Sequence, residues 1–121
     1  MATDYVYWKA GVKEALESFS DKQHQREAWF GAGRYQSSPA EFWCGLFDDF
    51  RFLEFVDDPL VNLNTEQKRA AKEFLQRCDE YSETEILNIN GFPDPASTID
   101  DPKWDAVRHA ARRFLVLIKD I

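Results

Sequence analysis

Residues 38–58 read SPAEFWCGLFDDFRFLEFVDD, and the fold class turns on this stretch. Ser38, Pro39 and Glu41 make a helix start. The serine can cap, the proline suits the first helical position, and the glutamate can reach back to close a capping box. The run from Phe42 onward is apolar on nearly every side. At about 100° per residue, Phe42, Trp43, Leu46, Phe47, Phe50 and Leu53 share one broad face, while Phe52, Phe55 and Val56 fall on the other. A helix apolar all round needs neighbours all round. The pattern therefore predicts a central, aromatic-rich helix over about residues 39–56. Asp57-Asp58-Pro59 closes it, because the residue before a proline is pushed out of the helical region.

The flanking sequence supplies the neighbours. Tyr5, Trp8, Val12, Ala15, Leu16 and Phe19 keep the 3.6 period and predict a first helix over residues 4–19. Ser20 is the expected cap of a short second helix ending near Gly31. Asn64-Thr65-Glu66-Gln67 resembles a capping box. It opens a helix from Thr65 to about Tyr81 that turns Ala70, Ala71, Phe74, Leu75, Cys78 and Tyr81 inward. On its outer face Arg69, Glu73 and Arg77 stand at i, i+4 spacing and are expected to pair along the helix. Ser82 to Gly91 reads as a further short helix, and Phe92-Pro93-Asp94-Pro95 as extended chain. Asp101-Pro102 opens the last helix, with Trp104, Val107, Ala111, Phe114, Leu115 and Ile118 inward and Arg108 and Arg112 sharing a polar stripe. No alternating strand pattern is present. The expected architecture is all-α, a single-domain bundle of about five to six helices.

The 121 residues suffice for one domain with one core. Ten Phe and 4 Trp make that core ring-rich. The formal charge is -7, from 22 acidic and 15 basic side chains. Such a balance argues against binding nucleic acid or an anionic membrane surface and suits a basic partner. Cys44 and Cys78 lie in apolar surroundings within predicted helices, as free thiols of a reducing compartment do. No secretory leader pattern precedes the first helix, and no apolar run approaches the ~20 residues of a membrane span. A cytoplasmic protein, monomeric or weakly dimeric, is the expectation.

Residues for chemistry are scarce. Gly31 and Gly33 lack the preceding strand and further glycine or lysine of a phosphate loop. His24 and His109 are the only histidines, and His109 is expected to make a surface contact with Asp105 four residues earlier. No zinc, calcium or di-iron spacing occurs, so neither metal nor cofactor is expected. Two groups of carboxylates remain. One interrupts the central helix and continues past its end, and the other lies after the third long helix. Asp48, Asp49, Asp57, Asp58, Glu83 and Glu85, with Phe52 as an aromatic anchor, form the candidate partner-binding set.

Trp29-Phe30-Gly31 with Gly33, Ser38-Pro39-Ala40-Glu41, Phe47-Asp48-Asp49, and Asp101-Pro102-Lys103-Trp104 with Val107-Arg108 and Ala111-Arg112 carry a resemblance. They look like small acidic helical bacterial proteins similar to immunity proteins of toxin systems, including contact-dependent growth inhibition. The resemblance extends from about Trp29 onward and rests on caps and packing residues. It implies a non-enzymatic protein that binds and neutralises a cognate toxin, often a basic nuclease. A small cytoplasmic regulatory or scaffold protein is the alternative expectation, and an enzyme ranks last.

Overall fold

The computed structural model describes residues 5–31, 38–84 and 95–121. Its elements are α1 (Tyr5–Ser20), α2 (Lys22–Phe30), α3 (Pro39–Cys44) running into a π-helical turn (Gly45–Asp49), α4 (Phe52–Asp57), α5 (Thr65–Thr84), α6 (Pro95–Thr98) and α7 (Pro102–Leu117). The fold is all-α, with no strand among the described residues. The expected helix over residues 82–91 lies outside the described residues apart from 82–84, which are the last turn of α5; of the expected extended run 92–95, 92–94 lie outside them and Pro95 instead opens α6.

The helix starts obey local hydrogen bonding. Ser38 accepts from the Glu41 amide at 3.2 Å with Pro39 in the first turn, as expected. Asn64 and Gln67 form the full reciprocal box, each side chain accepting from the other's amide at 2.8 Å. Asp101 caps α7 through the Lys103 amide at 2.8 Å. For α2 the cap is Asp21 rather than Ser20: its carboxylate takes the His24 amide at 3.0 Å, whereas the Ser20 hydroxyl donates back to the Glu17 carbonyl.

The long helices set the frame. α7 packs along α5 on one side and α1 on the other. The inward faces of all three match the periodic pattern, with Trp8, Val12, Leu16, Phe19, Ala71, Phe74, Cys78, Tyr81, Trp104, Val107, Ala111, Phe114 and Ile118 buried. Glu73 reaches across to Arg113 of α7 instead of pairing along its own helix, so this ion pair joins α5 to α7. Arg77 pairs locally with Glu80 at 2.9 Å.

The 38–58 stretch lies against this frame, but not as one continuous helix. α3 widens into the π turn, closed by the Phe50 amide on the Gly45 carbonyl at 3.0 Å. The chain then breaks at Arg51, whose backbone is left-handed at φ 48° and ψ 56°. The break changes the helical phase. Phe52, Phe55 and Val56 enter the core, while Phe42, Trp43, Phe47 and Phe50 pack on it half-buried. Phe52 meets Phe47, Phe74 and Phe114 edge to face or nearly so, at 5.5–5.8 Å between ring centroids. Phe74 also meets Phe19, so rings from α1, the broken segment, α5 and α7 form one cluster. Such edge contacts add about 0.5–1.5 kcal/mol each beyond the area they bury.

Gly11 makes room for this packing. A Cβ there would stand 2.3 Å from a Phe50 ring atom. Trp8, one turn earlier, donates its indole N–H to the Phe50 carbonyl at 2.5 Å. Gly11 is a place where glycine is required by contact and not by backbone angle. Two measurements test the arrangement. Phe52→Ala is expected to cost about 3–5 kcal/mol in denaturant melts, and half-buried Phe50→Ala less. Gly11→Ala, favourable for helix propensity by ~1 kcal/mol, is expected to destabilise because Phe50 must move. A neutral or stabilising Gly11→Ala contradicts the packing described.

Candidate functional site

Between residues 38 and 63 the acids are Glu41, Asp48, Asp49, Glu54, Asp57 and Asp58, and the only base is Arg51. That base is already engaged. Its guanidinium lies 4.8 Å from the centre of the Trp8 ring and 3.1 Å from the Glu54 carboxylate. The segment therefore presents a negative surface without compensating charge of its own.

The acids divide by what they do locally. Glu41 and Glu54 stand in the first turns of α3 and α4, where the helix dipole favours a negative charge. Asp58 is half-buried and structural, accepting from the Tyr5 hydroxyl at 3.3 Å and from the Leu60 amide at 2.8 Å. Burial and the nearby Asp58 charge together raise the Tyr5 phenol above its ordinary pKa, burial being the larger cause. Asp48, Asp49 and Asp57 are different. All three are exposed, none forms an ion pair among the described residues, and Asp49 and Asp57 are the last residues of the π turn and of α4, where the dipole opposes an anion. Burial chiefly, and then the nearby Asp48 and Asp49 carboxylates, push the Cys44 thiol up in pKa.

The remaining expected partner residues fare unevenly. Phe52 is fully buried, 0% exposed, and cannot anchor a partner; the break at Arg51 turns it inward. Phe55, Tyr81 and Trp104 are buried as well. The apolar groups that do reach the surface near the acids are the half-buried Trp43 and Phe47, with ring centroids 5.0 Å apart, and Leu53, 58% exposed on the outer side of α4. Glu83 falls in the last turn of α5, and Glu85 lies outside the described residues.

Where α1 passes α3 there is a cleft of about 250 Å³, lined by Glu14, Ala15 and Ser18 from one side and Glu41, Phe42, Gly45 and Phe50 from the other. Its residues lie in two segments whose apposition only the tertiary structure creates, so no local sequence pattern announces it.

A second charged cluster is structural. Arg108, expected on the polar stripe with Arg112, is buried at 3% exposure. It donates to the Gln25 side-chain oxygen at 3.0 Å, to the Ile99 carbonyl at 3.2 Å and to Asp105 at 2.8 Å. Gln25, also buried, accepts from Trp104 Nε1 at 3.0 Å and donates to the Ser18 and Phe19 carbonyls. Those carbonyls end α1 and have no partner within the helix. The network thus ties α1, α2, the turn after α6, and α7 with every polar atom of the Gln25 side chain in use. Nearby, the Tyr81 hydroxyl and Thr98 share a buried hydrogen bond of 2.6 Å. Asp105 is bound by Arg108 and not by the expected His109. Among the described residues no group of His, Cys, Asp and Glu gathers as a metal site, and no helix is long and apolar enough to cross a membrane. Comparison of the chain with protein-family models, with curated proteins and with solved structures finds no match.

The hydrogen bond from Arg108 is the main cause holding the Asp105 carboxyl below its ordinary pKa. A group lowered in the folded state adds stability above its unfolded value, about 3.9, and that stability is lost as pH falls through the folded value. Asp105→Asn is therefore expected to flatten the acid limb of stability below about pH 4, with a small effect at pH 7 because the carboxylate is half exposed. Arg108→Met, which strips donors from two buried oxygens, is expected to cost about 2–3 kcal/mol at pH 7. Equal effects of the two substitutions at pH 7 contradict the network.

Proposed function

We propose that this protein is a non-enzymatic binding protein that captures a basic protein partner on its acidic segment, in the manner of an immunity protein neutralising a toxin. The observation that supports it is the placement of Asp48, Asp49 and Asp57. Stability alone would not select this run of exposed carboxylates, two of them at dipole-opposed positions, with the segment's one base, Arg51, committed elsewhere. A partner with complementary charge supplies the missing counter-ions.

The division of labour comes from the physics. Surface charges of one sign steer an oppositely charged partner and raise the association rate. Half-buried rings and an exposed leucine, here Trp43, Phe47 and Leu53, provide area that water leaves on contact and lengthen the life of the complex. An inhibitor that must reach its toxin before damage accumulates benefits most from the first effect.

The test starts with the intact protein as bait in its source cells, identification of the protein it retains, and co-expression of that partner. A basic partner whose toxicity the protein suppresses is the expected result. With the purified partner, Asp48→Asn/Asp49→Asn is expected to slow association roughly tenfold at low salt and to flatten its salt dependence. Its own stability should shift by less than about 0.5 kcal/mol. A retained partner that is basic but harmless moves the protein to the regulatory or scaffold class. An acidic partner, or association indifferent to salt and to the double substitution, overturns the acidic segment as the site.

A further inference from the structure

The ring of Phe50 borders two places on α1. It lies in the notch at Gly11, where a Cβ would stand 2.3 Å from a ring atom, and it is only half-buried there. Four residues on, Ala15 holds the same face of α1 one turn away, about 6 Å along the axis. There the cleft of about 250 Å³ opens, with Ala15, Phe42, Gly45 and Phe50 itself among its lining. A cavity of about 150 Å³ with apolar walls holds benzene. The cleft is therefore large enough for the Phe50 ring, which already stands against it.

The backbone that carries this ring is unusual at consecutive points. Phe50 closes the π turn, its amide on the Gly45 carbonyl at 3.0 Å, and π turns are rare insertions in helices that recur at functional sites. Its own angles, φ -97° and ψ 1°, lie in the sparsely populated bridge region. Arg51 after it is left-handed, at φ 48°. Such conformations persist where the surroundings hold them, and they cluster at switch regions. Here the surroundings hold the two ends. Ser38 caps α3, and Phe52 is fully buried in the core. In between, a Cβ at Gly45 would meet nothing within 4 Å, so the turn has room to change.

From these we infer that residues 45–51 form a two-position device: the Phe50 ring sits in the Gly11 notch, as here, or one turn further along α1, in the cleft over Ala15. Tightening of the π turn to an α turn carries the exchange. The Phe50 amide passes from the Gly45 carbonyl to the Leu46 carbonyl, so no hydrogen bond is lost. The bond from the Trp8 indole N–H to the Phe50 carbonyl holds the first position, and deeper burial of the ring against Ala15 and Phe42 favours the second. One-turn steps of one packed element past another are an established form of switching, because packed interfaces have discrete arrangements. Exposed Asp48 and Asp49 ride on the same turn, so the exchange re-aims them. The device belongs to the free chain and does not rest on the function proposed above.

The experiment follows the intact chain by NMR, with Phe rings and Ala methyls labelled. Gly11→Ala closes the first notch. The Phe50 ring is then expected to lose its contacts with residue 11 and to gain cross-relaxation with the Ala15 methyl and the Phe42 ring. A ring that stays beside residue 11, or turns out to water without approaching Ala15, overturns the inference. The unsubstituted chain supplies a second measurement, which decides even where Gly11→Ala fails to fold. Relaxation dispersion, on the μs–ms scale of such steps, is expected at the amides of residues 45–51 and at the Ala15 methyl, and not at the buried Ala71 methyl of α5. Ala15→Leu fills the cleft from a half-buried position and is expected to abolish the dispersion while leaving the Phe50 ring on Gly11. Flat profiles at residues 45–51 of the unsubstituted chain, or dispersion that survives Ala15→Leu unchanged, overturn the two-position device.

Discussion

Arg51 stands in a left-handed backbone conformation, and the placement of both the core rings and the surface acids depends on it. A non-glycine residue held there costs about 1–2 kcal/mol. The surroundings offset that cost. The guanidinium lies over the Trp8 ring and pairs with Glu54, and the Arg51 carbonyl accepts the Phe55 amide at 2.9 Å to begin α4. The larger return comes from the burial that the break permits. Full burial of a large apolar side chain yields about 1.5–3 kcal/mol, and Phe52, Phe55 and Val56 all reach the core after it. A straight helix would have divided these rings between opposite sides and left one set in water. Backbone strain at one residue is the smaller quantity, so the broken helix wins.

The same balance between local and distant effects explains which parts of the fold are legible in the sequence. α1, α5 and α7 are readable because each buries one stripe, and a stripe leaves a period in the sequence. The caps at Asn64 and Asp101 are readable for a related reason, since a cap involves residues within a single turn. The 38–58 stretch announces its importance through its rings but not its path. Its apolar residues satisfy a helix all round, and nothing local distinguishes that from two short helices with a π turn between them. Phe52 therefore passes for a surface anchor in the sequence when it is at the centre of the aromatic cluster. Arg108 misleads in the opposite direction. It sits on the polar side of its helix, and only the arrival of Gln25 from α2 and Ile99 from the turn after α6 supplies the acceptors that let it be buried. Of the candidate site, the exposure of Asp48 and Asp49 is legible from their interruption of an apolar run, and that of Asp57 from its place at the end of that run. The hydrogen bond of Asp58 to Tyr5 and the cleft beside Glu14 are not, because both require chain segments distant in sequence.

Charge and packing are segregated in this molecule in a way that keeps the two from interfering. Polar atoms inside are matched donor to acceptor around Gln25, where a missing partner would leave a buried oxygen bare at about 1–3 kcal/mol. Asp48, Asp49 and Asp57, which form no ion pair among the described residues, are all outside, where water screens them and a neutralising change is nearly free. Stability and recognition can therefore be altered by different residues. The rings of Phe19, Phe74 and Phe114 fix the scaffold, and the short pieces α3 and α4 carry the acids on a support stiffened from below by Phe47, Phe52 and Phe55.

The two glycines make the same separation visible at single-residue scale. Gly11 and Gly45 both occupy helical segments, and by propensity alone both positions would be better served by alanine. At Gly11 the packing supplies the reason, since the Phe50 ring fills the place of the missing side chain and the core collects the gain. At Gly45 packing supplies none: the space is open and the backbone is ordinary. Asp48 and Asp49 share the π turn with Gly45, and both are exposed. The two glycines thus divide by packing: the Phe50 ring accounts for Gly11, and no contact among the described residues accounts for Gly45.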